Sequence, residues 1–285
     1  MHPEFEKSRL VSPPLFEAAW GKSTWELPHH LNAHNIFLLP LGDRRLFLRN
    51  SVFSATNPLQ GFDVDRSQPV SGQVYARLRS EIVSLNLKPG HVLSESELSK
   101  WLGVSRTPIR QALKKLEEEG FVQSVPHLGT FVSLLDMNTL IESQFIRESL
   151  ECSLTRRAAT HMDDAFRSSL LTILEKQKEA LSADEFERFY LLDQDFHKLI
   201  CSFSRLTGIW KTVELVTAHL NRVRRLSLPL PFVPSEVIGQ HQGIVDALID
   251  GDEDAAEQAM RVHLRNILKV IPEIRERNDQ LFKKK

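Results

Sequence analysis

At 285 residues, with 41% hydrophobic and 26% charged side chains, the chain has an ordinary globular composition and room for two cores. A net charge of −1 excludes a chain that grips nucleic acid by bulk positive charge. The longest apolar run near the N-terminus, residues 36–41, is too short to cross a bilayer. No basic patch precedes an apolar signal core, and Cys152 and Cys201 form no metal-type pair, so a reducing cytoplasm and no membrane are expected.

Residues 1–67 hold scattered prolines, Trp20, Trp25 and short apolar runs such as Leu46-Phe47-Leu48, with no sustained period. They are expected to form a poorly ordered N-terminal extension. Regular structure starts with a helix over 71–87, whose stripe is Val74, Leu78, Ile82 and Leu85, ended by Lys88-Pro89-Gly90. Ser94 with Glu97 three residues on is a capping box, opening a helix with Leu98, Trp101 and Leu102 on its apolar face. Gly103 stops that helix, because a left-handed closing residue costs least without a side chain. Ser105 caps the next helix and Pro108 fits its first turn. Its stripe is Ile109, Ala112, Leu113 and Leu116, and it runs to Gly120.

On the opposite face of that helix lie Arg106, Thr107, Arg110, Gln111 and Lys114. Arginine forks match the acceptor pair of guanine and amides match adenine, so this face suits the major groove. Two short β runs, 121–125 and 130–133, flank the turn Pro126-His127-Leu128-Gly129. A hairpin directly after a reading helix makes a winged helix-turn-helix over 68–135. Segment 71–133 carries eight Lys/Arg against six Asp/Glu, while 137–285 carries 21 against 23, so the slight positive balance sits on the reading head.

From Asn138 onward no strand is expected. Six helices are predicted, over 138–160, 163–181, 183–204, 207–227, 234–250 and 252–280, packing as an antiparallel bundle over 136–285. The fold class is therefore mainly α: a winged helix-turn-helix with a small β-hairpin wing, followed by an all-α helical bundle. The short linker Asp136-Met137-Asn138 has no glycine or proline, so the two parts should be closely coupled. Within the bundle, Asp193 and His197 stand at i and i+4 and share a helix face. His241 and His263 lie among apolar stripes on two further helices. Three imidazoles and a carboxylate on three helices can surround one divalent ion and leave positions open. A single histidine on an apolar face is more often a core residue, so only the Asp193/His197 spacing is informative by itself.

The run LKPGHVLSESELSKWLGVSRTPIRQALKKLEEEGFVQSVPHLGTFV resembles the DNA-binding domain of GntR-type bacterial transcription regulators. That resemblance implies operator contacts from Arg106, Thr107 and Arg110, with the wing tip, His127 and Gly129, in the minor groove. It differs at Ser96, where the family often has arginine. DQDFHKLI, RVRRLSLP and QHQGIVDALIDGDEDAAEQAMRVHL resemble the FCD ligand-binding domain of the FadR branch, with six helices in the manner of the VanR-like subgroup. The likeness implies a divalent metal held by Asp193, His197, His241 and His263, zinc first and nickel or manganese as alternatives. Gln240 stands where the family usually has glutamate, a change expected in the outer shell and not in the ligand set. It further implies a small organic acid as effector. Arg147 in FIRESLE would clamp the carboxylate, against the plainer alternative of a surface pair with Glu151. Arg222, Arg224 and Arg225 are expected to be mostly solvated, with one member facing the pocket.

The expected function is a homodimeric, ligand-responsive regulator, a repressor in preference to an activator, with no catalytic residues. The rival is a metal-dependent hydrolase with an accessory DNA-binding domain, against which stands the lack of an HExxH-like helix. A third reading makes the metal itself the signal.

Overall fold

The computed structural model describes residues 59, 61–230 and 232–284 in full, and upstream only the backbone of two short strands. These are β1 (Ile36–Leu38) and β2 (Leu46–Leu48), paired antiparallel with Ile36 opposite Leu48. Such pairing was not anticipated for the extension. The rest of the expectation for residues 1–58 falls outside the described residues.

The reading head consists of α1 (Val70–Val83), α2 (Glu95–Leu102) and α3 (Arg106–Glu118), with a three-stranded sheet. Ser94 caps α2 by accepting from the Glu97 amide, and Gly103 ends it in the left-handed region at φ 64°. Ser105 enters α3 through extended backbone but makes no side-chain capping bond. The α3 stripe Ile109, Ala112, Leu113 and Leu116 is buried as the period predicts. α1 is shorter than expected. Leu85 lies beyond its end at φ 65°, and Leu87 is buried in the core instead.

β4 (Val122–Val125) and β5 (Gly129–Val132) form the wing, with Val122 opposite Val132. A third strand, β3 (Val92–Leu93), joins the other edge of β5, so the sheet order is β3-β5-β4. Two residues were too few to read as a strand from the sequence. Pairing fixes the base of the wing against the start of α2.

The bundle contains α4 (Met137–Ala159), α5 (Asp164–Ser182), α6 (Phe186–Phe203), α7 (Ile209–Val216), α8 (Ala218–Ser227), α9 (Val233–Ile249) and α10 (Glu253–Arg277). The stretch 207–227, expected as one helix, is therefore two, and the described residues hold seven α-helices in this part, closed by a short 3-10 helix at Asp279–Leu281. The division falls at Thr217, whose hydroxyl bonds back to the Val213 carbonyl at 2.7 Å. A β-branched residue with such a back-bond bends a helix. The core is built from Phe166, Leu170, Phe196, Ile244 and Leu248 at one end and Leu140, Leu220, Val223, Ile271 and Phe282 at the other.

The linker is pinned to the C-terminal segment. Asp136 caps α4 through the Asn138 amide and pairs with Lys283 at 2.9 Å. Leu135 exchanges backbone hydrogen bonds with the C-terminal segment, donating to Leu281 and accepting from Lys283.

Candidate functional site

The bundle brings its four predicted ligands together. Asp193 and His197 come from α6, His241 from α9 and His263 from α10. All four are buried, and one ligand atom from each lies within 4.8 Å of every other. His263 Nε2 stands 3.1 Å from His197 Nε2 and 3.4 Å from His241 Nε2. Asp193 Oδ1 is 3.7 Å from His241 Nε2, and its Oδ2 is 3.9 Å from His197 Nε2. Four ligands at bonds of about 2.0–2.1 Å around a tetrahedral ion would sit roughly 3.3 Å apart, so the spacing fits a metal ion.

Outer partners stand behind the rings. His197 Nδ1 lies 2.6 Å from Glu151 Oε2, His241 Nδ1 2.9 Å from Gln177 Oε1 and His263 Nδ1 3.0 Å from Gln240 Oε1. The two amide oxygens accept, so an Nδ1–H on His241 and on His263 satisfies them and turns the Nε2 of both rings to the centre. The approach of His197 to Glu151 is close but lacks hydrogen-bond alignment. A cation at the centre would be ligated by the Nε2 atoms, and the partners behind them would strengthen that ligation.

Charge around the cluster follows the same logic. Burial pushes the His241 pKa down to about 3, and burial with the neighbouring imidazoles drives His263 well below its ordinary value. Burial opposes the Asp193 carboxylate, but Arg224 and the imidazoles outweigh it and hold its pKa well below the usual range. Glu151 is likewise held at about 2, with Arg147 and His197 overcoming its desolvation.

A cavity of about 50 Å³ opens beside the cluster, lined by Asp193, His263, Arg147, Arg224, Tyr190 and Asn266 among others. Arg147 is buried rather than at the surface. It pairs with Glu151 at 2.7 Å, so the pairing holds but its surface placement does not, and it lines the cavity. The arginine run on α8 corrects the reading of a mostly solvated cluster. Arg222 is fully buried, while Arg224 and Arg225 are partly so. Arg224 reaches both Asp193 Oδ2 and Asn221 Oδ1. Gln240 does join the outer shell, although it supports His263 and not its sequence neighbour His241. Gln177 and the role of Glu151 were not legible, because nothing in their local spacing links them to histidines on other helices.

The predicted nucleic-acid residues form a second, separate face. Arg106, Thr107, Arg110 and Gln111 project from the exposed side of α3, and His127 and Gly129 lie exposed at the wing tip. His127 takes φ 65° and Gly129 φ 120°, which turns the hairpin sharply there. Arg110 is tied to Glu95 of α2 at 2.8 Å, a solvent-exposed pair that costs little to open.

Residues 70–132 match the bacterial regulatory proteins of the gntR family, and residues 142–266 match the FCD domain. The chain is 36% identical to the HTH-type transcriptional repressor RspR of Escherichia coli (strain K12) over 216 residues, 76% of this chain and 95% of that protein. The chain belongs to the GntR family of bacterial transcription regulators. As a GntR regulator with an FCD domain, it is a DNA-binding protein and not an enzyme, and the hydrolase alternative falls. It is also 38% identical to an uncharacterised HTH-type transcriptional regulator of Streptomyces ambofaciens, covering 73% of this chain and 88% of that one. The fold is shared with E. coli McbR/YncC at a TM-score of 0.61 and 21% identity, over 71% of this chain and 97% of that structure. No helix among the described residues is long and apolar enough to cross a membrane.

The buried neutral imidazoles predict a pH dependence for chelator-treated protein. Unfolded histidine takes a proton near pH 6.5, whereas His241 refuses one down to about pH 3, so the unfolded chain binds more protons in that window. Stability should fall as pH drops below 6.5, by about 2 kcal/mol at pH 5 from His241 alone. The depressed Asp193 and Glu151 add to the loss below about pH 4.5. Urea midpoints at pH 8, 6.5 and 5 should show this, with a shallower slope for His241→Gln. A flat profile to pH 5 in the metal-free wild type would contradict the buried neutral state.

Proposed function

We propose that this regulator represses its target operon as a homodimer, with a divalent metal and a small carboxylate in the FCD cavity governing operator release. The observation that carries this reading is the convergence of the Nε2 atoms of three histidines and Asp193, beside a cavity that two arginines line. RspR, named a transcriptional repressor and matched over 95% of its length, supports the direction of control. Borderline-soft imidazoles with one carboxylate suit zinc first, and nickel or manganese after it. The arginines supply planar forks for a carboxylate in the cavity beside the metal site. A cavity of about 50 Å³ holds only a few water-sized groups, which favours short acids over long-chain ones.

In this reading Arg106, Thr107, Arg110 and Gln111 read base edges while His127 and Gly129 track the minor groove. Two copies would set two α3 helices about one DNA turn apart. A self-complementary patch for that pairing is available on α4 and α10. Phe145 is 72% exposed, Ile141 53%, Val262 48% and Leu268 40%. Glu148 of α4 binds Arg261 and Arg265 of α10, which brings these apolar residues onto one face. Large exposed apolar side chains gathered in this way mark an interaction surface.

Thermal-shift titration with short mono- and dicarboxylates, with and without chelator, tests the sensor directly. Stabilisation by an acid that disappears on chelation is expected; stabilisation indifferent to chelator would point away from a metal-held acid. His241→Ala should lose zinc by elemental analysis, and Glu151→Gln should weaken it roughly 10–100-fold. Zinc retained at full occupancy in His241→Ala would remove the proposed cage. For DNA, Arg106→Ala and Arg110→Ala should each cost on the order of tenfold in operator affinity in mobility shifts. Full affinity in the double variant would mean another surface reads the site. Phe145→Asp should shift the species seen by light scattering from dimer to monomer, and an unchanged mass would dismiss the α4/α10 face.

A further inference from the structure

α8 touches both halves of the molecule, and its two sides do different work. Toward the bundle, Arg224 bonds Asp193 of the cluster and lines the cavity. Toward the reading head, three basic side chains each reach a backbone carbonyl. His219 Nε2 donates to Glu119 O at 2.9 Å, just past α3, and its ring stacks on Phe121 at 4.1 Å. Arg222 Nη2 donates to Ser133 O at 2.7 Å, where the chain leaves the wing. Arg225 Nη1 donates to Val83 O at 3.3 Å, on the last residue of α1.

Carbonyls at helix ends lack intrahelical partners and carry the negative end of the helix dipole, so the Arg225 guanidinium suits Val83 O and the ring N–H of a neutral His219 suits Glu119 O. At about 100° per residue, Arg224 lies roughly 160° around α8 from Arg222. One rigid two-and-a-half-turn segment thus holds the cavity on one flank and caps α1, α3 and the wing exit on the other. The hold is weak by construction. Arg222 is fully buried, yet its Nε and Nη1 have no partner, and burying a guanidinium with one acceptor is costly.

We propose that α8 is the lever between cavity and reading head. His219, Arg222 and Arg225 act as positioning residues that fix the orientation of α3 and the wing. A carboxylate that draws Arg224 away from Asp193 moves all three caps together, because they ride on one helix. The relay rests on the reading of the cavity as the effector site, whereas the docking role of the caps does not.

The test uses full-length protein with spin labels on Gln123→Cys of the wing and Lys198→Cys of α6, both exposed positions. Cys152 and Cys201 are buried, so the introduced thiols take the label. Labelled chain is diluted into unlabelled chain to suppress distances between copies. Wild type should give one narrow distance distribution. His219→Ala/Arg225→Ala, at half-buried positions, should roughly double its width as the head undocks, and Arg225→Lys alone should restore it. Arg224→Gln, which mimics loss of the Asp193 contact, should broaden it too, while Arg224→Lys should not. If the double variant stays narrow, the caps do not hold the head. If only Arg224→Gln stays narrow, α8 docks the head without relaying the cavity, and the lever is wrong. Zinc content on the same samples separates the two readings: a wild type that takes up no zinc defeats the sensor, not the caps.

Discussion

Three imidazoles and one carboxylate converge inside the helical bundle, and most of the surrounding chemistry follows from that crowding. Glu151, Gln177 and Gln240 stand behind the three rings and hold their orientation. A core selected for stability alone would have used apolar residues there, since buried polar groups are costly unless fully paired. A cation at the centre would resolve the crowding. Asp193 carries a formal negative charge toward the same point and is kept ionised by Arg224. Donor set, charge and tautomer thus agree with one another.

How far this was readable in the sequence depended on whether the signal was local. Asp193 and His197 stand one turn apart and announce a shared face. Caps and stripes did the same for α2 and α3, where Ser94, Gly103 and the run Ile109 to Leu116 behave as their period requires. The grouping of His241 and His263 with them rested on family likeness, because nothing in local spacing connects three helices. What escaped was contact between distant segments. Gln177 is 64 residues from His241, and Arg222 is 89 residues from the wing carbonyl it holds. A run of three arginines near a loop looks solvated until the bundle closes over it. The break at Thr217 was missed for a smaller reason, since a single hydroxyl back-bond leaves the apolar period intact.

The two working surfaces are built on opposite principles. The face of α3 is exposed and its Arg110–Glu95 pair is weak, so that guanidinium is released at little cost. The cavity is only partly enclosed, but its ion pairs lie among buried side chains and are hard to break singly, because removing one buried partner strands the other charge. Under the proposed reading, an acid in the cavity would offer Arg224 a second carboxylate in place of Asp193, so the guanidinium would change partner without being left unpaired. Such a trade of like for like at Arg224 would let a ligand of modest affinity shift its position.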